Sequence, residues 1–157
     1  MNILVLGIGQ SLRGDDAAGL EAVRLWQKQY PQCTGSVHVA LSELPGLGLL
    51  DLLEGMDAAI LVDAVQGSDA AGTLYRIGLD DLDSFAPGSG SAHGWGIAET
   101  LQLGRTLYPS LAGCRITLIG IAARSLDMGA GLSPEVEKAL AGAAQRIEEE
   151  LQGHLVL

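Results

Sequence analysis

The sequence predicts an α/β protein with a mostly parallel, five-stranded sheet and helices on both of its faces. Short aliphatic runs alternate along the chain with amphipathic segments of helical period, an order typical of βαβ units. Apolar residues make up 48% of the chain and aromatic residues only 4%, and there are 22 glycines. This composition suits an aliphatic core with closely packed backbone segments. At 157 residues, we expect one domain over residues 1–157.

The first strand and helix are predicted on either side of a glycine-rich loop. Residues 2–7 form an uninterrupted aliphatic run bounded by glycine, as expected of a strand buried on both faces. Apolar residues at helical spacing then extend over 16–30. Gly14 or Asp15 is placed to cap this helix, and we interpret Asp15 chiefly as a cap.

Two further strands and a second helix follow. A strand is predicted over 36–41, and the run GLGLLDLLEG over 46–55 predicts a helix that ends near its last glycine. Residues 58–64 read AAILVDA and predict a third strand. This strand places Asp63 at the carboxyl end of an otherwise apolar segment.

The second half of the chain completes the sheet and covers it. Residues 72–79 resemble a more exposed, antiparallel edge strand, and residues 114–122 another buried strand. Helices are predicted over 96–107 and 133–153, the latter with a serine as its cap and Pro134 in its first turn.

Charge and cysteine usage exclude several classes of protein. The net charge of −10 repels nucleic-acid phosphates and anionic lipid, and no basic patch offsets it, so we expect neither nucleic acid nor membrane as a partner. Cys33 and Cys114 lack CxxC spacing and predict two reduced, buried thiols. The start of the chain lacks a basic signal-peptide region, and no long apolar run occurs, so we expect a cytoplasmic protein.

The first loop resembles a dinucleotide-binding loop only in part. Gly7 and Gly9 match the first two glycines of G-x-G-x-x-G, but Leu12 stands at the third. Asp15 and Asp16 occupy the helix N-terminus, where a diphosphate would bind. Like charges about 4 Å apart repel by roughly 4 kcal/mol at an effective dielectric of about 20, so these carboxylates argue against a nucleotide site.

Two carboxylates and one imidazole form a candidate metal site. Asp16 follows the first strand and Asp63 ends the third, and the carboxyl ends of parallel strands meet at one edge of a sheet. A buried Asp is costly unless its charge is compensated, for example by a cation. His93 lies in the Gly/Ser-rich segment 86–96, which predicts a mobile loop before a helix. Such a set suits a borderline divalent ion and leaves coordination positions open.

With these residues in place, the chain resembles the hydrogenase maturation endopeptidases over nearly its whole length. The resemblance rests on ILVLGIGQSLRGDDAAG, on ILVDAV, on the histidine of SAHGWG and on LIGIAARSLDMGAGLSPEVEKAL. It implies a three-layer α/β/α sandwich around a twisted sheet. It also implies a protease that trims the C-terminus of a nickel-containing hydrogenase large-subunit precursor.

Carried over by position, the family's metal-contacting residues fall on Asp16, Asp63 and His93. The resemblance implies that they recognise nickel already inserted in the precursor, and whether nickel also resides in the free enzyme stays open. Gln10 and Ala17 stand where the family commonly has Asn and Gly. A third departure, LSELPG over 41–46 where some members have Asp-Gly-Gly-Thr, leaves the class of hydrogenase open. The alternative function is a non-catalytic metal-sensing or metallochaperone-like module that uses the same three residues.

Overall fold

The structure, a computed structural model, describes residues 1–31, 37–43, 46–82 and 96–156. The described strands form one sheet in the order β2-β1-β3-β5-β4, and only β4 is antiparallel to its neighbour. The predicted mostly parallel sheet with an antiparallel edge strand is therefore confirmed. The strands are β1 Ile3–Ile8, β2 Val37–Ser42, β3 Ala58–Val65, β4 Leu74–Gly78 and β5 Arg115–Ala122.

Among the described residues, four α-helices cover both faces of the sheet, which confirms the predicted three layers. Trp26 of α1 and Ile147 of α4 belong to the apolar cluster on one face, and Leu49 of α2 and Leu101 of α3 to the cluster on the other. No helix among the described residues is both long and apolar enough to cross a membrane. The helices are α1 Ala18–Gln29, α2 Gly48–Leu53, α3 Ile97–Leu107 and α4 Pro134–Leu155.

The central strands are buried on both faces, so their sequences read as continuous apolar runs rather than as alternating ones. In β3, Ile60 and Val62 pack in the cluster with α1 and α4, whereas Ala59 and Leu61 pack in the cluster with α2 and α3. Successive side chains in a strand point to opposite faces. Asp63 continues the Ala59 and Leu61 series, and so belongs to the face covered by α2 and α3.

One glycine brings α1 against the ends of two strands. A Cβ atom on Gly19 would lie 2.3 Å from the carbonyl oxygen of Val62 and 2.4 Å from that of Ile8. Only a residue without a side chain allows the helix to approach the backbone this closely. The first turn of α1 therefore rests on the carboxyl ends of β1 and β3.

The predicted helix caps differ from the structure in their bonding. Residues Gly14–Ala17 form a 3-10 turn before α1, and Ala17 at the N-cap makes no side-chain cap bond, so the interpretation of Gly14 or Asp15 as its cap is wrong. Ser133 does precede α4, and Pro134 is its first residue, but the Ser133 hydroxyl makes no cap bond. Cys114 is a buried free thiol, while Cys33 lies outside the described residues.

A polar cluster lies where the C-terminal half of α4 packs on β4 and β5. Glu150 accepts hydrogen bonds from Arg76 Nε at 2.6 Å and from Thr117 Oγ1 at 2.8 Å. His154 Nε2 lies 3.6 Å from Glu150 Oε1. Burial lowers the pKa of His154. The positive charges of Arg115 and Arg76 lower this pKa further, and these effects together outweigh the negative charge of Glu150, which raises it. The folded protein therefore favours the neutral imidazole.

We expect this imidazole to make the protein less stable as the pH falls below about 6.5. The unfolded chain then takes up a proton that the folded state binds less readily, and the loss is at most about 1.4 kcal/mol per pH unit for one group. The pKa of Glu150 is lowered, so its contribution is lost only at more acidic pH. His154→Phe should flatten the dependence of the melting temperature on pH between about 7 and 5.5.

His38→Phe is the matched control, because His38 is exposed. Melting curves of the three proteins at several pH values give the comparison. An unchanged slope in His154→Phe would show that another group causes the loss of stability.

Candidate functional site

Asp63 lies at the edge of the sheet where the parallel strands end. Gly7 of β1 pairs with Val62 of β3, and Asp63 itself pairs with Gly120 of β5. Asp63 is therefore level with the last residue of β1, and it is only 1% exposed. β3 continues for two residues beyond it, to Val65, so this carboxylate lies near the carboxyl end of a buried strand, as predicted.

Asp16 reaches the same edge through the loop that leaves β1. Its carbonyl oxygen accepts a hydrogen bond from Gln10 N at 3.3 Å, and a Cβ on Gly9 would lie 1.9 Å from that oxygen, so the loop folds back tightly on itself. The 3-10 turn that holds Asp16 contacts β3. Asp16 is also 1% exposed. The structure thus places both carboxylates at the carboxyl edge of the sheet, and their role as ligands stays a prediction.

The third proposed ligand, His93, lies outside the described residues. The next described residues are Gly96, at the N-cap of α3, and Ile97, which packs in the same cluster as Leu61 of β3. The chain after His93 therefore continues on the face to which Asp63 belongs. Among the described residues, no three His, Cys, Asp or Glu side chains form a metal-binding group, so the three-residue site also stays a prediction.

The donor chemistry of the two buried carboxylates fits a divalent cation. A buried carboxylate is tolerated only when hydrogen bonds or an opposite charge compensate for the loss of water. Carboxylate oxygens, together with an imidazole, suit borderline ions such as nickel. The same carboxylates could also activate water as a general base.

Asp15 has a different role from its neighbour and from the predicted cap. Its Oδ2 accepts hydrogen bonds from the backbone N–H groups of Arg124 at 2.7 Å and Ser125 at 3.1 Å. Ser133 donates to it twice, from its N–H to Oδ1 at 2.7 Å and from its hydroxyl to Oδ2 at 2.8 Å. Asp15 therefore joins the β1–α1 loop to the β5–α4 loop.

The electrostatics of Asp15 agree with this structural role. Burial by itself would raise the pKa of Asp15, but the hydrogen bonds from Ser133, Arg124 and Ser125 lower it, and the net pKa lies below the usual 3.8. The negative charge also lies beside the N-terminus of α4, where the helix dipole favours it.

Backbone contacts hold the same two loops together. Asp15 N donates to Ser125 O at 2.8 Å, and Gly129 N donates to Leu12 O at 2.8 Å. Gly14 adopts a φ of 56°, and a Cβ there would lie 2.7 Å from Ser125 O, so this contact requires glycine. The loop that bears Asp16 is thus fixed along its length.

Glu43 fixes that loop from the opposite side. Its Oε1 accepts hydrogen bonds from the Ser11 hydroxyl at 2.6 Å and from Ser11 N at 2.9 Å. These bonds lower the pKa of Glu43 and connect the end of β2 to the β1–α1 loop. Glu43 thus has a structural role in holding the loop that bears Asp16.

Comparisons with known proteins converge on one family. Residues 44–150 match the family model described as hydrogenase maturation protease. The hydrogenase 2 maturation protease of Escherichia coli is 29% identical over 150 residues, which cover 94% of this chain and 88% of that protein. A putative hydrogenase maturation protease of Methanocaldococcus jannaschii is 30% identical over 156 residues, which cover 96% and 97% of the two chains.

Solved structures agree with these matches. The hydrogenase maturating endopeptidase HybD from E. coli superposes with a TM-score of 0.86 at 27% identity, and the match covers 98% of this chain and 94% of that one. A [NiFe] hydrogenase maturation protease from Thermococcus kodakarensis gives a TM-score of 0.75 at 26% identity, with 95% and 98% covered. The similarity therefore extends over the whole fold.

Proposed function

Because the chain belongs to the hydrogenase maturation protease family and is a peptidase, we propose that it removes a C-terminal extension from a hydrogenase large-subunit precursor. The names of its relatives support this proposal, since they describe proteases that act in the maturation of hydrogenases. The reaction adds one water across one peptide bond of the precursor. It takes place in the cytoplasm.

The observation that carries the proposal is the pair of buried carboxylates at one edge of the sheet. Asp16 follows β1, and Asp63 lies near the carboxyl end of its parallel neighbour β3. Each side chain is shielded from water. In the proposal, they and His93 face nickel that the precursor carries. The nickel is thus part of the substrate, and these residues use it to align the scissile bond.

Alignment alone contributes substantially to such a reaction. Holding a reacting bond in the correct geometry can supply roughly 7–11 kcal/mol of the barrier in favourable cases. The hydrogen bonds that hold the β1–α1 loop on both sides support this role, since a ligand that aligns a substrate must itself be fixed. The chemical step then uses either polarisation of the carbonyl by the metal or a carboxylate as general base.

Intact-mass spectrometry tests the proposal directly. The protein is incubated separately with nickel-loaded and nickel-free precursor, and the mass of each precursor is followed with time. We expect only the nickel-loaded precursor to lose a C-terminal fragment. Cleavage of both forms alike would contradict recognition of nickel, and a precursor that is bound but never shortened would favour the metal-sensing or metallochaperone-like module instead.

A further inference from the structure

Three large apolar side chains are exposed on the loops at the carboxyl edge of the sheet. They are Leu12 of the β1–α1 loop, Leu47 just before α2, and Met128 of the β5–α4 loop, which are 68%, 61% and 71% exposed. We call these three residues the apolar rim. Single exposed apolar residues are common on protein surfaces, but these three share the edge that holds Asp16 and Asp63.

The rim is held rigidly on two of its three loops. Leu12 O accepts a hydrogen bond from the N–H of Gly129, the residue after Met128, so the backbones of Leu12 and Met128 lie side by side. Asp15 and Ser125 join the same two loops close by. Surface that is fixed in the free protein loses little conformational entropy when a partner covers it.

We infer that the apolar rim is a docking surface for the hydrogenase precursor, and that it contacts apolar side chains of the precursor beside the scissile bond. This inference rests on the proposed function. The rim is continuous with the candidate site, because Leu12 and Asp16 belong to one loop that is fixed at both Ser11 and Asp15. A precursor chain that reaches the carboxylates approaches the edge of the sheet that also carries the rim.

Other occupants fit the rim less well. The net charge of −10 repels an anionic membrane or nucleic acid. A second copy of the chain would carry the same net charge, and it would cover the edge at which the carboxylates lie. An uncharged, apolar contact with the precursor does not depend on this net charge, and it leaves the metal and the carboxylates to align the bond.

Serine substitutions in the rim test this inference. Leu12→Ser, Met128→Ser and the triple variant with Leu47→Ser are compared with wild type for binding of the nickel-loaded precursor and, in parallel, for its cleavage. Burial of one large apolar side chain is worth roughly ten-fold in affinity. We expect each single variant to raise Kd and KM about ten-fold, and the triple variant more, while kcat changes less than about three-fold.

Leu107→Ser is the matched control. Leu107 is 59% exposed but lies at the end of α3 that leads toward the start of β5, at the opposite edge of the sheet. We expect this variant to bind and cleave like wild type. All variants should keep the wild-type melting temperature, because the substituted side chains are exposed.

The outcomes separate the inference from the proposed function. Rim variants that bind and cleave the precursor like wild type overturn the inference and leave the proposed function standing. Wild type that binds the precursor through the rim without shortening it overturns the proposed function alone. Sedimentation that shows wild type as a dimer and the triple variant as a monomer also overturns the inference, because a second copy would then be the occupant.

Discussion

Asp63→Asn is expected to lower the rate of precursor cleavage at least about 100-fold, since small misplacements of a reacting group can cost that much. The amide keeps the shape of the carboxylate but removes the charge that, in the proposal, faces the nickel of the precursor. The fold should survive, because a neutral side chain of equal size removes a buried charge rather than leaving one uncompensated. Asp16→Asn and His93→Ala are expected to act in the same way.

Asp51→Asn is the control for this series, because it makes the same change at an Asp that is exposed on α2 rather than buried. Cleavage is followed by intact mass, and the fold by far-UV circular dichroism and thermal melting. Wild-type cleavage by any of the site variants would remove that residue from the proposed ligand set. A collapsed fold would instead assign it a structural role.

Asp15→Ala is expected to destabilise the protein by about 3–5 kcal/mol, because several buried donors lose their acceptor at once and each unsatisfied donor costs about 1–3 kcal/mol before the site relaxes. Three backbone N–H groups and one hydroxyl lose their acceptor together. For a domain of this size, the melting temperature should fall by about 10 °C or more. Urea denaturation measures the change in the free energy of unfolding.

Ser133→Ala provides the comparison, because it removes only one of the four bonds, the one from the hydroxyl to Asp15. We expect a loss of about 1 kcal/mol. A loss in Asp15→Ala no larger than in Ser133→Ala would show that water replaces the carboxylate at little cost, and that the two loops are joined chiefly through their backbones.

The sequence was sufficient to predict the layers and the sheet, because a strand that is buried on both faces has a nearly continuous run of apolar residues. The runs in β1, β3 and β5 are almost wholly aliphatic, and a lone Asp63 in such a run is conspicuous. The antiparallel edge strand β4 is less buried, which its mixed sequence reflected. These features follow from local patterns.

The role of Asp15 could not be predicted in the same way. Three of its four partners are backbone N–H groups, which every residue except proline carries, so the side chains of Arg124 and Ser125 give no sign of them. Local sequence predicts that an Asp beside the start of a helix caps that helix. The Asp15 carboxylate instead accepts hydrogen bonds from residues 109–118 positions away. Glu43 and Ser11 likewise meet only through the pairing of β2 with β1.

The bonds of Asp15 also determine when the β1–α1 loop can become fixed while the chain is being synthesised. The donors that hold this carboxylate lie between Arg124 and Ser133, at the start of the last helix, so a nascent chain that has emerged from the ribosome only as far as β5 lacks all of them. The loop that bears Asp16 is then held on the side of Glu43 but not on the side of the β5–α4 loop. We therefore expect the proposed site to become rigid only after the chain has been translated as far as Ser133.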